Sequence, residues 1–291
     1  MSIPKINDYI LPTTQELPSN KVDWPFDNQR AALLIHDMQN YFLNFWKADS
    51  QLVMQIIDNI ARLRKQCKQL GIPVFYTAQP NHQSDADRGL LNDMWGAGLN
   101  LHPEQQSITD ALAPASDDTV LIKWRYSAFQ RSDLEQQLKV MERDQLIICG
   151  VYAHIGCMTT ATDAFMRDIK PFFVADALAD FSRDEHIMAL RYIAGRCGRV
   201  LTTETLLNEI SPFPKWTRER LRAEILPLLD DDCGDIDDHE NLLDYGLDSV
   251  KIMSLMTHWN HENHNIDFIS LVKTPTLANW FTLLTDRQES K

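Results

Sequence analysis

Ala31-Ala32-Leu33-Leu34-Ile35-His36-Asp37-Met38-Gln39 opens with five apolar residues and then turns to a carboxylate. The apolar residues are continuous rather than alternating, which suits a strand covered on both faces. Similar short runs recur, giving strands predicted at residues 31–35, 74–76, 120–123, 146–149, 172–174 and 199–201. Amphipathic stretches at 51–69, 133–141, 159–168 and 183–194 lie between most of them as predicted helices. Strands alternating with helices place this part of the chain in the α/β class, a parallel sheet with helices on both faces.

The first four strands end in polar or special residues: Asp37, Gln79, Lys123 and the segment Gly150-Val151-Tyr152. Ligands bind outside the carboxyl ends of strands in an open parallel sheet, so these residues are expected to share one crevice. Asp37 could instead cap a helix, but a charge at the end of an apolar strand is costly to bury without a purpose. Lys123, between Ile122 and Trp124, either reaches solvent or meets a carboxylate, with Asp37 as a plausible partner. His36 and His154 read as structural, since neither belongs to a spaced metal-binding set. Residues 85–98, which include Arg88 and Trp95, suit a loop over the crevice.

A different pattern closes the chain. Tyr245-Gly246-Leu247-Asp248-Ser249-Val250 puts two favoured capping residues before an apolar run at helical spacing: Val250, Ile252, Met253, Leu255, Met256 and Trp259. Ser249 should therefore stand at the mouth of a helix, where unpaired N–H groups and the positive dipole end suit a phosphodiester. A charged helix beginning near residue 217 precedes it, and another at 276–284 follows Pro275. The expectation is a small all-α bundle of about four helices. Residues 217–291 carry 15 Asp and Glu against 7 Lys and Arg, so −8 of the chain's −13 charge lies there. That acidity favours basic protein partners and argues against nucleic acid or an anionic membrane.

Two domains suit 291 residues, and 44% apolar content is enough for a proper core. The expected organisation is a first domain at 1–208, a linker at 209–216 marked by Pro212 and Pro214, and a second domain at 217–291. No stretch approaches about 20 apolar residues and the N-terminus has no basic and apolar leader, so a cytoplasmic protein without membrane insertion is expected. The five cysteines, Cys67, Cys149, Cys157, Cys197 and Cys233, are scattered without a CxxC pair and read as reduced thiols.

Asp37, Lys123 and the run Gly150 to Ala164, containing Gly150-Val151-Tyr152-Ala153-His154-Ile155-Gly156-Cys157, together resemble the isochorismatase-like hydrolase superfamily. Its amidases use an Asp, Lys and Cys triad. Here the nucleophile position falls on Gly156, and Cys157 is one place late. Glycine cannot attack a carbonyl, so the resemblance implies the branch that hydrolyses the isochorismate vinyl ether without a covalent intermediate. Gly-Leu-Asp-Ser resembles the attachment motif of carrier domains. The full length is similar to the bifunctional isochorismatase and aryl carrier proteins of catechol siderophore biosynthesis, of the enterobactin and vibriobactin type.

The resemblance implies a Rossmann-like three-layer hydrolase domain followed by a four-helix carrier domain. Asp37, Lys123 and Gly156 become catalytic positions, Phe42, Gln79, Arg88 and Tyr152 substrate contacts, and Ser249 the anchor of a covalent 4'-phosphopantetheine arm. Gly156 would leave room for the substrate ring. No metal is implied, apart from Mg2+ while the arm is attached. The implied partners are isochorismate, a phosphopantetheinyl transferase, an aryl-acid adenylating enzyme and a condensation or amide synthase, with a homo-oligomer expected. The carried aryl acid would be 2,3-dihydroxybenzoate. Two alternatives compete: a cysteine amidase of the same fold using Cys157, or a carrier and scaffold protein with an inactive hydrolase domain.

Overall fold

The computed structural model describes residues 3–210, 216–230, 236–261 and 266–285. It divides into two compact units, Met1–Ser211 and Pro212–Lys291. Most of the expected linker, residues 211–215, lies outside the described residues, as does Cys233. Glu209 and Ile210, expected in that linker, instead complete a helix, where Glu209 meets Arg199 at 2.6 and 2.8 Å and Ile210 is buried. Trp216 belongs to the core of the second unit.

In the first unit, strands β1 (Ala31–His36), β2 (Val74–Ala78), β3 (Thr119–Ile122), β4 (Gln145–Val151), β5 (Lys170–Ala179) and β6 (Arg199–Leu201) form one parallel sheet. Their order is β3-β2-β1-β4-β5-β6. Helices α1 (Gln51–Gln69), α2 (Leu134–Val140), α3 (Met158–Phe165), α4 (Arg183–Arg196) and α5 (Thr203–Ile210) cover it. Alternation along β1 explains the two layers. Leu33 and Ile35 face Leu52, Ile56, Ile60 and Leu63 of α1, while Ala32 and Leu34 join Leu138 of α2, Ala161 of α3 and Leu190 of α4.

The expected strands are all present, but β4 and β5 run further than their densest apolar cores. Gly150 and Val151 belong to β4 rather than to the loop after it. β5 continues through Asp176 to Ala179, because the Asp176 carboxylate is held by the Thr203 N–H and hydroxyl at 2.6 and 2.8 Å. Residues 85–98 are not an open loop but fold into the short helices Asp85–Arg88 and Leu91–Trp95, the first capped by Ser84.

The second unit contains α6 (Arg218–Ile225), α7 (Ser249–His261), α8 (Phe268–Lys273) and α9 (Leu277–Thr285). Trp259 of α7 stands edge-on to both Trp216 and Trp280, with centroids 5.6 and 5.7 Å apart. Their buried indole N–H groups are satisfied where the chain provides acceptors: Trp259 donates to Glu224 and Trp280 to the Leu271 carbonyl, each at 2.9 Å. Among the described residues, no helix is long and apolar enough to cross a membrane.

Candidate active site and carrier site

The order of strands reverses direction at β1, between β2 and β4, and the carboxyl ends there open into a cavity. Asp37, Phe42, Gln79, Arg88, Lys123, Tyr152 and Gly156, predicted from five separate stretches of sequence, all line it. The sheet brings them together because each follows or ends a neighbouring strand, or sits on the segment just beyond one.

Asp37 and Lys123 form the centre. Lys123 Nζ lies 2.7 Å from Asp37 Oδ2, and each residue is only 4% exposed. The Thr77 hydroxyl donates to Asp37 Oδ1 at 2.7 Å and accepts the Asp37 N–H at 3.1 Å, pinning both ends of a residue whose φ is +50°. Such a φ is costly for a side chain-bearing residue, though aspartate tolerates it better than most. Gln39 fixes the next strand end: its side chain accepts from Gln79 N at 2.7 Å and donates to Gln79 O at 2.9 Å.

Arg88 is 3% exposed. Its Nε donates to the Gly96 carbonyl at 2.6 Å, whereas Nη1 is buried with no hydrogen-bond partner. A buried guanidinium nitrogen left unpaired on a cavity wall favours an incoming anion, since guanidinium binds carboxylates as a fork. Gly98 allows the close approach: a Cβ there would lie 2.3 Å from Arg88 Nη2.

The rest of the wall is aromatic. Tyr152 donates to the Phe42 carbonyl at 2.8 Å, stacks on Trp46 and meets Phe181 with centroids 4.6 Å apart. Trp95 donates to the Tyr126 hydroxyl at 2.8 Å. Tyr126, Phe181, Tyr41 and Ile3 also line the cavity but were not singled out from the sequence. None of the four had a cue without the fold: even Phe181 stands two residues past the end of a β5 that runs to Ala179, beyond the strand expected at 172–174.

Two expectations need correction. The space beside Gly156 is not left open for a substrate ring: a Cβ there would lie 2.2 Å from Cε1 of His36, whose imidazole fills it. Cys157 does not line the cavity but is wholly buried in the core beneath α3 and α4, and that burial pushes its thiol well up, away from the reactive thiolate. The amidase alternative thus lacks an accessible nucleophile at this position.

His154 has closer acidic neighbours than its sequence spacing shows. Its Nδ1 lies 2.5 Å from Asp180 Oδ1, and the three ligand atoms of His154, Asp180 and Glu185 fall within 4.8 Å of one another. Both Asp180 oxygens already accept N–H groups, from His154 and Phe181. Burial opposes charge on His154, but its bond to Asp180 and the charges of Asp180 and Glu185 outweigh this and raise it. The ion pair fastens the turn at Ala153–Cys157 beside β5.

In the second unit, Asp248 and not Ser249 caps α7. Asp248 Oδ1 accepts the N–H groups of Val250 and Lys251, each at 2.9 Å. Ser249, the first residue of α7, is exposed, with its hydroxyl not needed for the cap. The apolar run expected for one core face is divided. Ile252, Leu255 and Trp259 are buried, while Val250 and Met253 are 76% and 54% exposed in the turns after Ser249. An exposed serine at the start of a 13-residue helix fits a covalently held phosphodiester.

Residues 31–205 match the family model described as isochorismatase domain, and residues 219–284 match the one described as phosphopantetheine attachment site. The chain is 61% identical over 285 residues to enterobactin synthase component B of Escherichia coli (strain K12), covering 98% of this chain and 99% of that protein. It is 48% identical over 303 residues to an isochorismatase of Bacillus subtilis (strain 168), covering 99% and 97%. Among solved structures, a cysteine hydrolase from Pseudomonas syringae pv. phaseolicola 1448A aligns with a TM-score of 0.60 at 26% identity, over 66% of this chain and 97% of that one. With a parallel sheet closing on a buried Asp and Lys pair, and a helical unit presenting an exposed serine, the chain belongs to the isochorismatase family and carries a phosphopantetheine-binding domain behind its hydrolase domain.

Proposed function

We propose that the first unit hydrolyses isochorismate to 2,3-dihydro-2,3-dihydroxybenzoate and pyruvate, and that the second carries an aryl acid, 2,3-dihydroxybenzoate, for siderophore assembly. One observation supports the hydrolase reading most directly: the buried Asp37 and Lys123 pair shares its cavity with the unpaired Nη1 of Arg88. Isochorismate is a dianion with an enolpyruvyl ether. Arg88 would clamp one carboxylate, and the aromatic wall of Phe42, Tyr152 and Phe181 would hold the carbon skeleton.

The hard step is delivery of a proton to the terminal carbon of the vinyl ether. Asp37 would act as general acid, forming an oxocarbenium-like centre that water captures. The resulting hemiketal breaks its bond to the ring oxygen, releasing pyruvate and the diol. Lys123 would orient the ether or its carboxylate. Gln79 would contact the substrate from the end of β2, with its backbone held by Gln39. Gly156 serves as wall rather than reactant.

Pyruvate release from isochorismate by the purified protein tests this reading, and no release from a folded sample would overturn it. Replacing Arg88 by alanine is expected to raise KM by about 10- to 100-fold, because a charge-assisted pair to the substrate is lost. Lysine at this position should recover only part, since it lacks the planar fork. An unchanged KM would remove Arg88 from carboxylate binding.

In the second unit the 4'-phosphopantetheine arm would be anchored on Ser249. When bound, it supplies a terminal thiol that holds the aryl acid as a thioester. Asp248 keeps α7 capped, and Val250 and Met253 offer apolar contacts beside the anchor for a phosphopantetheinyl transferase working with Mg2+, an aryl-acid adenylating enzyme and an amide synthase. Self-association belongs to the same proposal, supported by the exposed Val120 and Ile122 on the edge strand β3.

A further inference from the structure

Two glycines press on one buried histidine. His36 ends β1 and has no exposed surface. Its Nδ1 lies 2.9 Å from the Val151 carbonyl, which can only accept, so Nδ1 carries a proton and donates. Its Nε2 lies 3.4 Å from the Thr160 hydroxyl, whose oxygen also accepts Ala128 N at 3.0 Å. The ring is therefore approached on both nitrogens. The backbone is hemmed in as well, because a Cβ on Gly150 would lie 2.1 Å from the His36 carbonyl oxygen.

Gly156 meets the other side of this residue. A Cβ there would lie 2.2 Å from His36 Cε1, 3.0 Å from Nε2 and 3.2 Å from Nδ1, which is a collision with the ring itself. Carbon atoms in good contact stand about 3.5–4.0 Å apart. A side chain tip on the surface could swing away, but this ring is wholly buried and has two polar contacts to lose.

We infer that His36 and Gly156 form a steric lock that keeps any side chain, and so any nucleophile, off position 156 of the cavity wall. The imidazole occupies the space through which the side chain of a nucleophile at position 156 would have to pass, so that position is closed to one. Burial lowers His36 to about 4, so at neutral pH the ring is uncharged and adds no second cation beside Lys123. The inference rests on the cavity being the hydrolase site, but its test needs no isochorismate, so the two can fail separately.

His36→Asn is the informative partner change, because an asparagine amide can keep the donor to Val151 while removing Cε1 and Nε2. Gly156→Ala should lower Tm by about 3–10 °C when His36 is present, the expected result of forcing one carbon into a filled space. In the His36→Asn background the same alanine should cost little or raise Tm, a non-additivity that only direct contact produces. Equal penalties in both backgrounds, including loss of fold in both, would overturn the lock, as would no penalty with His36 present. A second readout concerns reactivity. In the folded His36→Asn, Gly156→Cys protein, iodoacetamide should alkylate position 156: an S–C bond forms, iodide leaves and the thiol proton passes to solvent. Peptide mapping separates this site from the native cysteines, and a folded protein left unalkylated at 156 would overturn the claim that His36 excludes a nucleophile from the cavity.

Discussion

Replacing Asp37 by asparagine is expected to lower kcat for pyruvate release by about 10²–10⁴-fold, the usual contribution of a positioned general acid. That range corresponds to roughly 3–5 kcal/mol of barrier. The amide oxygen can still accept from Lys123 Nζ while the NH2 group donates to the Thr77 hydroxyl, both of which stand 2.7 Å from the native carboxylate oxygens, but the amide has no proton of suitable acidity to give. KM should change far less, because the cavity wall and Arg88 remain. Removing the carboxylate also leaves Lys123 as a buried charge without its counter-ion, which costs about 3–5 kcal/mol in comparable pairs. Melting temperature measured on the same sample separates that structural cost from the chemical one. A folded variant with wild-type kcat would show that Asp37 delivers no proton, and isochorismate incubated without protein supplies the rate of spontaneous breakdown.

Changing Ser249 to alanine should have an all-or-none effect on the other activity. Mass spectrometry after incubation with coenzyme A, Mg2+ and a phosphopantetheinyl transferase should show one arm added to the native protein and none to the variant. The helix should survive, since Asp248 supplies the cap through Val250 N and Lys251 N. A surface change that leaves the cap intact shifts stability by no more than about 0.5 kcal/mol. Isochorismate hydrolysis should be unaffected, as the two units have separate cores. Arm addition to the alanine variant would move the anchor elsewhere, and a parallel loss of hydrolysis would sink the division of labour between the units.

These predictions differ in how much of their basis is legible in the chain. The apolar runs at β1, β2, β3 and β6, the amphipathic period of α1 and the Asp-Ser start of α7 are short-range patterns. Strand and helix periods, and caps, depend on residues a few positions apart, so a linear reading reaches them. For the same reason Asp37, Gln79 and Lys123 could be placed together: a parallel sheet aligns the carboxyl ends of its strands.

The sequence by itself determined the α/β class, the small helical unit behind it, the carboxyl-end crevice and the serine at a helix mouth. Tertiary structure alone decided the rest. It extended β4 and β5 past their apolar cores, because a strand length is set by its neighbours as well as by its own residues. It chose Asp248 over Ser249 as the cap, and turned Val250 and Met253 outward while Ile252 and Leu255 went in. It brought Ile3, Tyr41, Tyr126 and Phe181 onto a wall whose other residues came from different strand ends. It also set Gly156 against His36, 120 positions away in the chain but closer than a methyl group would allow. Local preference is written in spacing, but exclusion is written in contact, and contact between distant residues exists only once the chain has folded.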